Sequence, residues 1–181
     1  MKEFYTRALV LGRRDINEVD GLISLFTQDY GKIVARAKSI RKIKSKLSAH
    51  IQPLNFIKVR LIKLAGPRDG FSIIDCVRDE DLSWPEKRFD MLPILGLIDS
   101  MAFELQTDRK LWAFMVGIMG KKFEYSEVTR ALLLVLGFDP KEGECFSCHS
   151  KDIFSFHKHD HIFLCKEHSL KIPQDKVILL T

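Results

Sequence analysis

The residues best suited to chemistry lie near the C-terminus, in Cys145-Phe-Ser-Cys148 and Cys165-Lys-Glu-His168, a C-x2-C-x16-C-x2-H arrangement. Two short pairs of soft donors separated by a loop can close a tetrahedron around one Zn²⁺. Each pair forms a tight knuckle, and the intervening hairpin brings the pairs together. Cys145, Cys148 and Cys165 are the firm ligands. His168 supplies the fourth donor by spacing, with His149, His157, His159 and His161 as competitors. Four protein ligands leave no open position for water, so the zinc is expected to be structural. A zinc deaminase would need an H-x-E element upstream of its C-x-x-C, and none precedes Cys145. Thiols clustered beside histidines suit metal binding in a reducing compartment better than disulfides. Cys76 stands alone in an apolar run and reads as a small buried side chain.

The second chemical feature is charge. Residues 1–78 carry 16 Lys/Arg against 7 Asp/Glu, whereas residues 79–181 carry 13 against 17. No acid occurs between Asp29 and Asp69, where composition alone would place about five. Eleven basic residues fill that interval. Lys32, Arg36, Lys38, Arg41, Lys42, Lys44 and Lys46 repel one another unless a polyanion neutralises them, and a phosphate backbone does so with release of counterions. On a strand, Lys32, Arg36 and Lys38 share one face while Ile33, Ala35 and Ala37 face a core. Lys58 and Arg60 share a parity and extend the patch. Tyr30 and Phe56 are the nearest aromatics for base stacking, though a core or turn role is the first expectation for each. No constellation for reading base edges is visible, so little sequence specificity is expected.

The elements that must position these groups are of two kinds. Tyr5–Gly12, Leu22–Thr27, Lys32–Ala37, Leu54–Leu64 and Gly70–Val77 read as strands. A turn is expected at Gln28–Gly31 and a bulge near Leu61-Ile62. Five strands with few helical stretches between them suit a small closed barrel, with an oligonucleotide-binding (OB) barrel ahead of an SH3-like one. After Asp79 the period becomes helical. Ser83-Trp84-Pro85 reads as a helix start, with apolar spacing from Met91 to Leu105 and Pro93 as a kink or true start. Asp108–Met119 with Thr107 as cap, and Ser126–Leu136 with Ser126 as cap and Gly137 as stop, are two further helices. The expected fold is α+β: an OB-type barrel over 1–79, then a helical domain over 80–181 with a zinc module at about 141–170.

These residues resemble a known family. Leu22-Ile-Ser-Leu-Phe-Thr-Gln-Asp-Tyr-Gly31, Ala37-Lys-Ser-Ile-Arg-Lys-Ile-Lys-Ser45 and Ile51-Gln-Pro-Leu54 resemble the N-terminal domain of bacterial RecO recombination mediators. Leu132-Leu-Leu-Val-Leu-Gly-Phe-Asp-Pro140 and Cys145-Phe-Ser-Cys148 resemble that family's later stretch. The resemblance implies an OB barrel, a helical domain with a zinc insertion, and binding of single- and double-stranded DNA. It further implies strand annealing and assistance in loading recombinase, with RecR and the acidic tail of single-strand-binding protein as partners. Lys121, Lys122 and Arg130 are candidates to meet that tail. The family usually has glycine where Ser39 stands and often cysteine where His168 stands, and its members are typically longer.

Other classes remain as alternatives: an RNA-binding OB protein, or a zinc-stabilised protein adaptor. No G-x-x-x-x-G-K-[ST], G-x-S-x-G or H-E-x-x-H element is present, and Asp79-Glu80-Asp81 reads as a solvated linker, so no enzyme is expected. No apolar run reaches the roughly 18 residues of a membrane span, and Met1–Phe4 lacks a signal-peptide core. A cytoplasmic protein without membrane partners is the expectation.

Overall fold

Alternating apolar and polar side chains build a barrel of β1 (Lys2–Asp15), β2 (Gly21–Thr27), β3 (Gly31–Ala37), β4 (Phe56–Leu64) and β5 (Gly70–Arg78). The computed structural model describes residues 2–41, 47–64, 70–84, 91–119, 121 and 123–180. The strand order β1-β2-β3-β5-β4 closes through β1–β4 pairing, and only β3–β5 is parallel. This is an OB-like barrel. The expected bulge on β4 falls between Arg60 and Leu61, and a second one interrupts β1 between Val10 and Gly12.

The interior is filled by Ala8, Val10, Ile23, Leu25, Ile33, Ala35, Ile57, Val59, Leu61 and Ile73, with Cys76 among them. Burial, then the neighbouring Asp75 charge, pushes the Cys76 thiol up to about 12, so it is inert packing as expected. β1 reads as a continuous apolar run because its two faces bury different things. Ala8 and Val10 face the barrel core, whereas Leu9 and Leu11 are buried on the outside, where α1 (Leu92–Met101) packs against β1. Pro93 lies in the first turn of α1, where its missing N–H costs nothing. An outer aromatic layer completes the seal. Phe56 lies 6.2 Å from Trp84 and 5.9 Å from Trp112, and Trp112 also meets Phe26 at 6.2 Å.

α1 stops at Met101, before the helical spacing does. The chain then extends, Glu104 bridges Lys32, and the Leu105 N–H donates to the Lys32 carbonyl at 2.9 Å. An extended partner on β3 thus outcompetes helix propagation, and Leu105 is exposed rather than helical.

The chain divides into two compact units, Met1–Trp112 and Ala113–Thr181. The barrel strands end near residue 79, but α1 stays with them because its apolar face is buried on β1. α2 (Arg109–Gly117) spans the division. Its cap is Asp108, whose carboxylate accepts the Leu111 N–H at 2.9 Å, while the expected cap Thr107 donates to the Asp29 carbonyl instead. α3 (Tyr125–Val135) begins with a capping box between Glu124 and Glu127, its cap two residues earlier than Ser126. It ends before Gly137, which takes φ +93°.

The second unit also holds β6 (Ser155–His157), β7 (Ile162–Leu164), α4 (Lys166–Ser169) and β8 (Val177–Leu179). They form a sheet of order β7-β6-β8. β8 has no counterpart in the sequence reading. Arg130 of α3 clips it by donating to the Leu180 carbonyl at 2.9 Å, which occupies one of the cations considered for an acidic tail. Among the described residues, no helix is long and apolar enough to cross a membrane.

Candidate metal centre and nucleic-acid interface

Cys145 and Cys148 sit on a tight turn, in which the His149 N–H donates to the Cys145 carbonyl and the Cys145 N–H to Ser150. Cys165 ends β7 and caps α4, and His168 lies on α4 one turn later. The four donor atoms all lie within 4.8 Å of one another. Cys148 Sγ to Cys165 Sγ is 3.8 Å, and His168 Nδ1 lies 3.5 Å from Cys145 Sγ and 3.2 Å from Cys165 Sγ. Tetrahedral zinc with bonds of about 2.3 Å to sulfur and 2.0 Å to nitrogen requires separations of about 3.5–3.8 Å. The donor set therefore fits a metal ion such as zinc.

Electrostatics favours the same ion. Burial pushes the Cys145 thiol up, but backbone N–H groups of Cys165, Ser147 and Cys148 outweigh it and bring it down to about 6. The competing histidines are engaged elsewhere. His149 pairs with Glu144 at 2.9 Å, His157 accepts the Asp160 N–H at 3.1 Å, and His161 stacks on Phe156. His159 is exposed on the β6–β7 turn.

The basic patch is positioned as alternation implies, with Lys32 and Arg36 projecting outward from β3 and Ile33, Ala35 and Ala37 buried. Yet most of these cations have carboxylate neighbours. Lys32 meets Asp99 of α1 at 3.0 Å, and Arg36 holds Asp20 through Nε at 3.1 Å and Nη2 at 2.5 Å. Arg41 lies 3.3 Å from Asp15. Lys58 approaches Asp79 at 3.5 Å and Asp81 at 3.4 Å, beside Arg7, and Arg60 binds Glu3 at 2.8 Å. Lys38 is exposed and has no ion-pair partner among the described residues. Lys42, Lys44, Lys46 and Lys122 lie outside the described residues.

Every one of these acids comes from outside the acid-free interval, so folding brings carboxylates to Lys32, Arg36, Arg41, Lys58 and Arg60 that the linear sequence leaves bare. The Asp79-Glu80-Asp81 run is accordingly no mere linker, since Asp79 is fully buried between Arg7 and Lys58. Neither aromatic considered for stacking is free to stack. Phe56 is buried, and Tyr30 packs edge-on against Phe4 at 5.1 Å. Tyr5 is the exposed aromatic of the barrel wall, with Arg60 5.5 Å from its ring and its hydroxyl donated to Glu3.

Asp20 organises the end of the barrel that carries Lys38 and Arg41. Ser39 takes φ +53°, a left-handed conformation that favours glycine, and its N–H donates to Asp20 Oδ1 at 2.7 Å. That bond, then Arg36, holds the Asp20 carboxyl down at about 2. A carboxyl lowered by folding stabilises the native state above its unfolded value and loses that contribution as pH falls. Stability from Asp20 should be complete above about pH 4 and vanish toward about pH 2. Asp20→Asn is expected to flatten the melting-temperature profile in that window, and an unchanged profile would place the acid sensitivity elsewhere.

A barrel of this order joined to a helical unit with a Cys3His cluster defines an OB-fold protein with a candidate metal module. The model of the family described as recombination protein O N terminal matches residues 1–72. A DNA repair protein RecO of Dehalococcoides mccartyi is 41% identical over 167 residues, covering 82% of this chain and 62% of the relative. Those of Alkaliphilus metalliredigens and Desulfitobacterium hafniense are 30% and 28% identical over 155 and 157 residues, covering 79% and 82% of this chain and 62% and 57% of theirs. The chain belongs to the RecO family. It spans about three fifths of the length of these curated relatives.

Proposed function

We propose that this chain is a non-catalytic DNA-binding and strand-annealing mediator of recombination in DNA repair, acting in the cytoplasm. It assists recombinase loading on protein-coated single strands, with RecR and the acidic tail of single-strand-binding protein as partners. In this reading residues 1–79 are the binding domain, and residues 80–181 are the helical domain with a structural zinc at Cys145, Cys148, Cys165 and His168. Lys121 and Lys122 are candidates for the acidic tail, with Arg130 joining them where the tail displaces its bond to the Leu180 carbonyl.

The observation that carries the reading is RecO kinship together with cations gathered at one barrel end, where Arg41 N–H donates to the Val19 carbonyl and Lys38 stands exposed. Lys38, with Lys42, Lys44 and Lys46, makes the primary phosphate contacts, and Lys32, Arg36, Arg41, Lys58 and Arg60 contribute where a phosphate displaces a carboxylate neighbour. Annealing then needs only charge neutralisation and transient holding, because base pairing supplies the free energy.

Affinity for single strands is expected to fall with salt at about 0.7 log units per log unit of salt for each phosphate contacted. Changing Arg41, Lys42, Lys44 and Lys46 together to alanine should weaken binding uniformly across sequences and flatten that slope by up to about 3. Fluorescence anisotropy across a salt series measures both, and wild-type behaviour of the quadruple variant would move the interface off this segment.

A further inference from the structure

The four donors of the second unit are unequally sheltered. Cys145 is fully buried, and its sulfur accepts backbone N–H bonds from Ser147, Cys148 and Cys165. His168 offers a ring nitrogen and no sulfur to oxidise. Cys148 is exposed, and Cys165 is half-buried. The sulfurs of these two lie 3.8 Å apart and come from opposite knuckles, 17 residues apart in the chain. The remaining cysteine, Cys76, is buried inside the barrel.

This arrangement divides the cluster by chemistry. The reactivity of a cysteine toward an oxidant follows its thiolate character and its access to solvent. Metal binding holds all three sulfurs as thiolates, so access decides among them, and access ranks Cys148 first. Cys165 is the accessible partner within reach, because a side-chain movement of about 2 Å brings the two sulfurs to bonding distance. Cys145 is kept out of the exchange by its burial and by the N–H groups that hold its sulfur.

We infer that Cys148 and Cys165 form an oxidation-sensitive pair, which a peroxide converts to a disulfide with release of the metal. The release rests on the zinc reading proposed above, whereas the pairing of the two sulfurs does not. The Cys148 thiolate attacks the O–O bond of hydrogen peroxide, gains an S–OH group and expels hydroxide. The Cys165 thiolate then attacks that sulfur, and the S–S bond forms as the S–O bond breaks and a second hydroxide leaves. Two electrons pass from the sulfurs to the peroxide, and two protons from solvent turn both hydroxides into water. Cys145 and His168 remain, two donors where a structural zinc takes four. The new bond spans the same two knuckles as the ion, so it exchanges a strong tie for a weaker one and does not cut it. A thiol reductant reverses the step and returns both donors.

The test uses the full chain, purified without chelators and exposed to hydrogen peroxide. Free thiols are alkylated under denaturing conditions and the peptides mapped by mass spectrometry, while a colorimetric chelator follows zinc in solution. The expected products are a peptide linked through Cys148 and Cys165, alkylated Cys145 and Cys76, and one zinc released for each disulfide. Amide exchange over residues 145–180 should accelerate about 10-fold or more, yet stay slower than in Cys165→Ala, because the bridge still ties the end of β7 to the knuckle. Dithiothreitol with added zinc should restore the metal and the protection. A link between Cys145 and Cys148, or sulfinic acid at Cys148 with no link, would overturn the pair. A linked chain that keeps its zinc would overturn the release. A chain that carries no metal as purified also overturns the release, together with the zinc of the proposed function, and a Cys148-to-Cys165 link formed in that chain still upholds the pair.

Discussion

Replacing Cys165 with alanine is expected to abolish metal binding by the Cys145, Cys148, Cys165 and His168 cluster and, with it, to loosen the packing of the second unit. The unit's sheet consists of strands of three residues each, too short to hold together by pairing alone. Cys165 joins β7 to α4, so the bound ion would tie the end of the sheet to the knuckle at Cys145 and Cys148. Structural zinc supplies about 10–16 kcal/mol of apparent binding free energy near neutral pH, comparable to or larger than the roughly 5–15 kcal/mol net stability of a whole domain. Atomic emission on protein purified without chelators should give one zinc per chain, falling to none in Cys165→Ala. Amide exchange over residues 145–180 should rise toward unprotected rates, while the barrel core stays protected. His168→Cys should keep the metal, because sulfur at that position completes a four-cysteine set. A wild-type chain with a metal content near zero and full protection would show that the sheet holds without an ion.

Gly31→Ala is the second large effect. Gly31 takes φ +69°, where an added Cβ costs about 1–2 kcal/mol. That Cβ would also lie 1.9 Å from the Gln106 carbonyl oxygen, a backbone atom with no rotamer to change. The 102–107 segment would have to retreat, breaking the Leu105–Lys32 hydrogen bond and the Thr107 bond to the Asp29 carbonyl. Strain and lost docking together should cost about 3 kcal/mol or more in urea unfolding. Gly12→Ala is the control, since nothing lies within 4 Å of a Cβ there, and its cost should stay below about 1 kcal/mol. Equal costs at the two positions would mean that the segment does not seat on β3.

What could be read from the chain follows the range of the interactions involved. Ile33, Ala35 and Ala37 alternate with Lys32, Val34 and Arg36, so the face of β3 is visible in six consecutive letters. The Cys145–Cys148 and Cys165–His168 pairs are local knuckles, and their spacing carried the cluster. His168 could not be preferred over its rivals by spacing with any force. It is distinguished because His149, His157 and His161 are spent on Glu144, Asp160 and Phe156, contacts that exist only in the folded chain.

The ion pairs were invisible for the same reason. Lys32 and Asp99 are 67 residues apart, and no local pattern marks them as neighbours. β8 escaped notice because Val177–Leu179 is too short for a period to emerge, and pairing with β6 decides it. Glu124 and Asp108 displaced the expected caps by one or two positions, a shift within the usual uncertainty of helix ends.

Part of the outward side of β2 and β3 is already taken: Ser24 and Lys32 are bound to Asp99, and Phe26 lies under Trp112. In an open OB barrel that wall is the floor across which a polynucleotide lies, bases down. With that part of the floor roofed over, the proposed function has a strand skirt the covered wall, held by its phosphates. Its bases would then face solvent, unread and unstacked by the protein, which is the posture in which a complementary strand can find them.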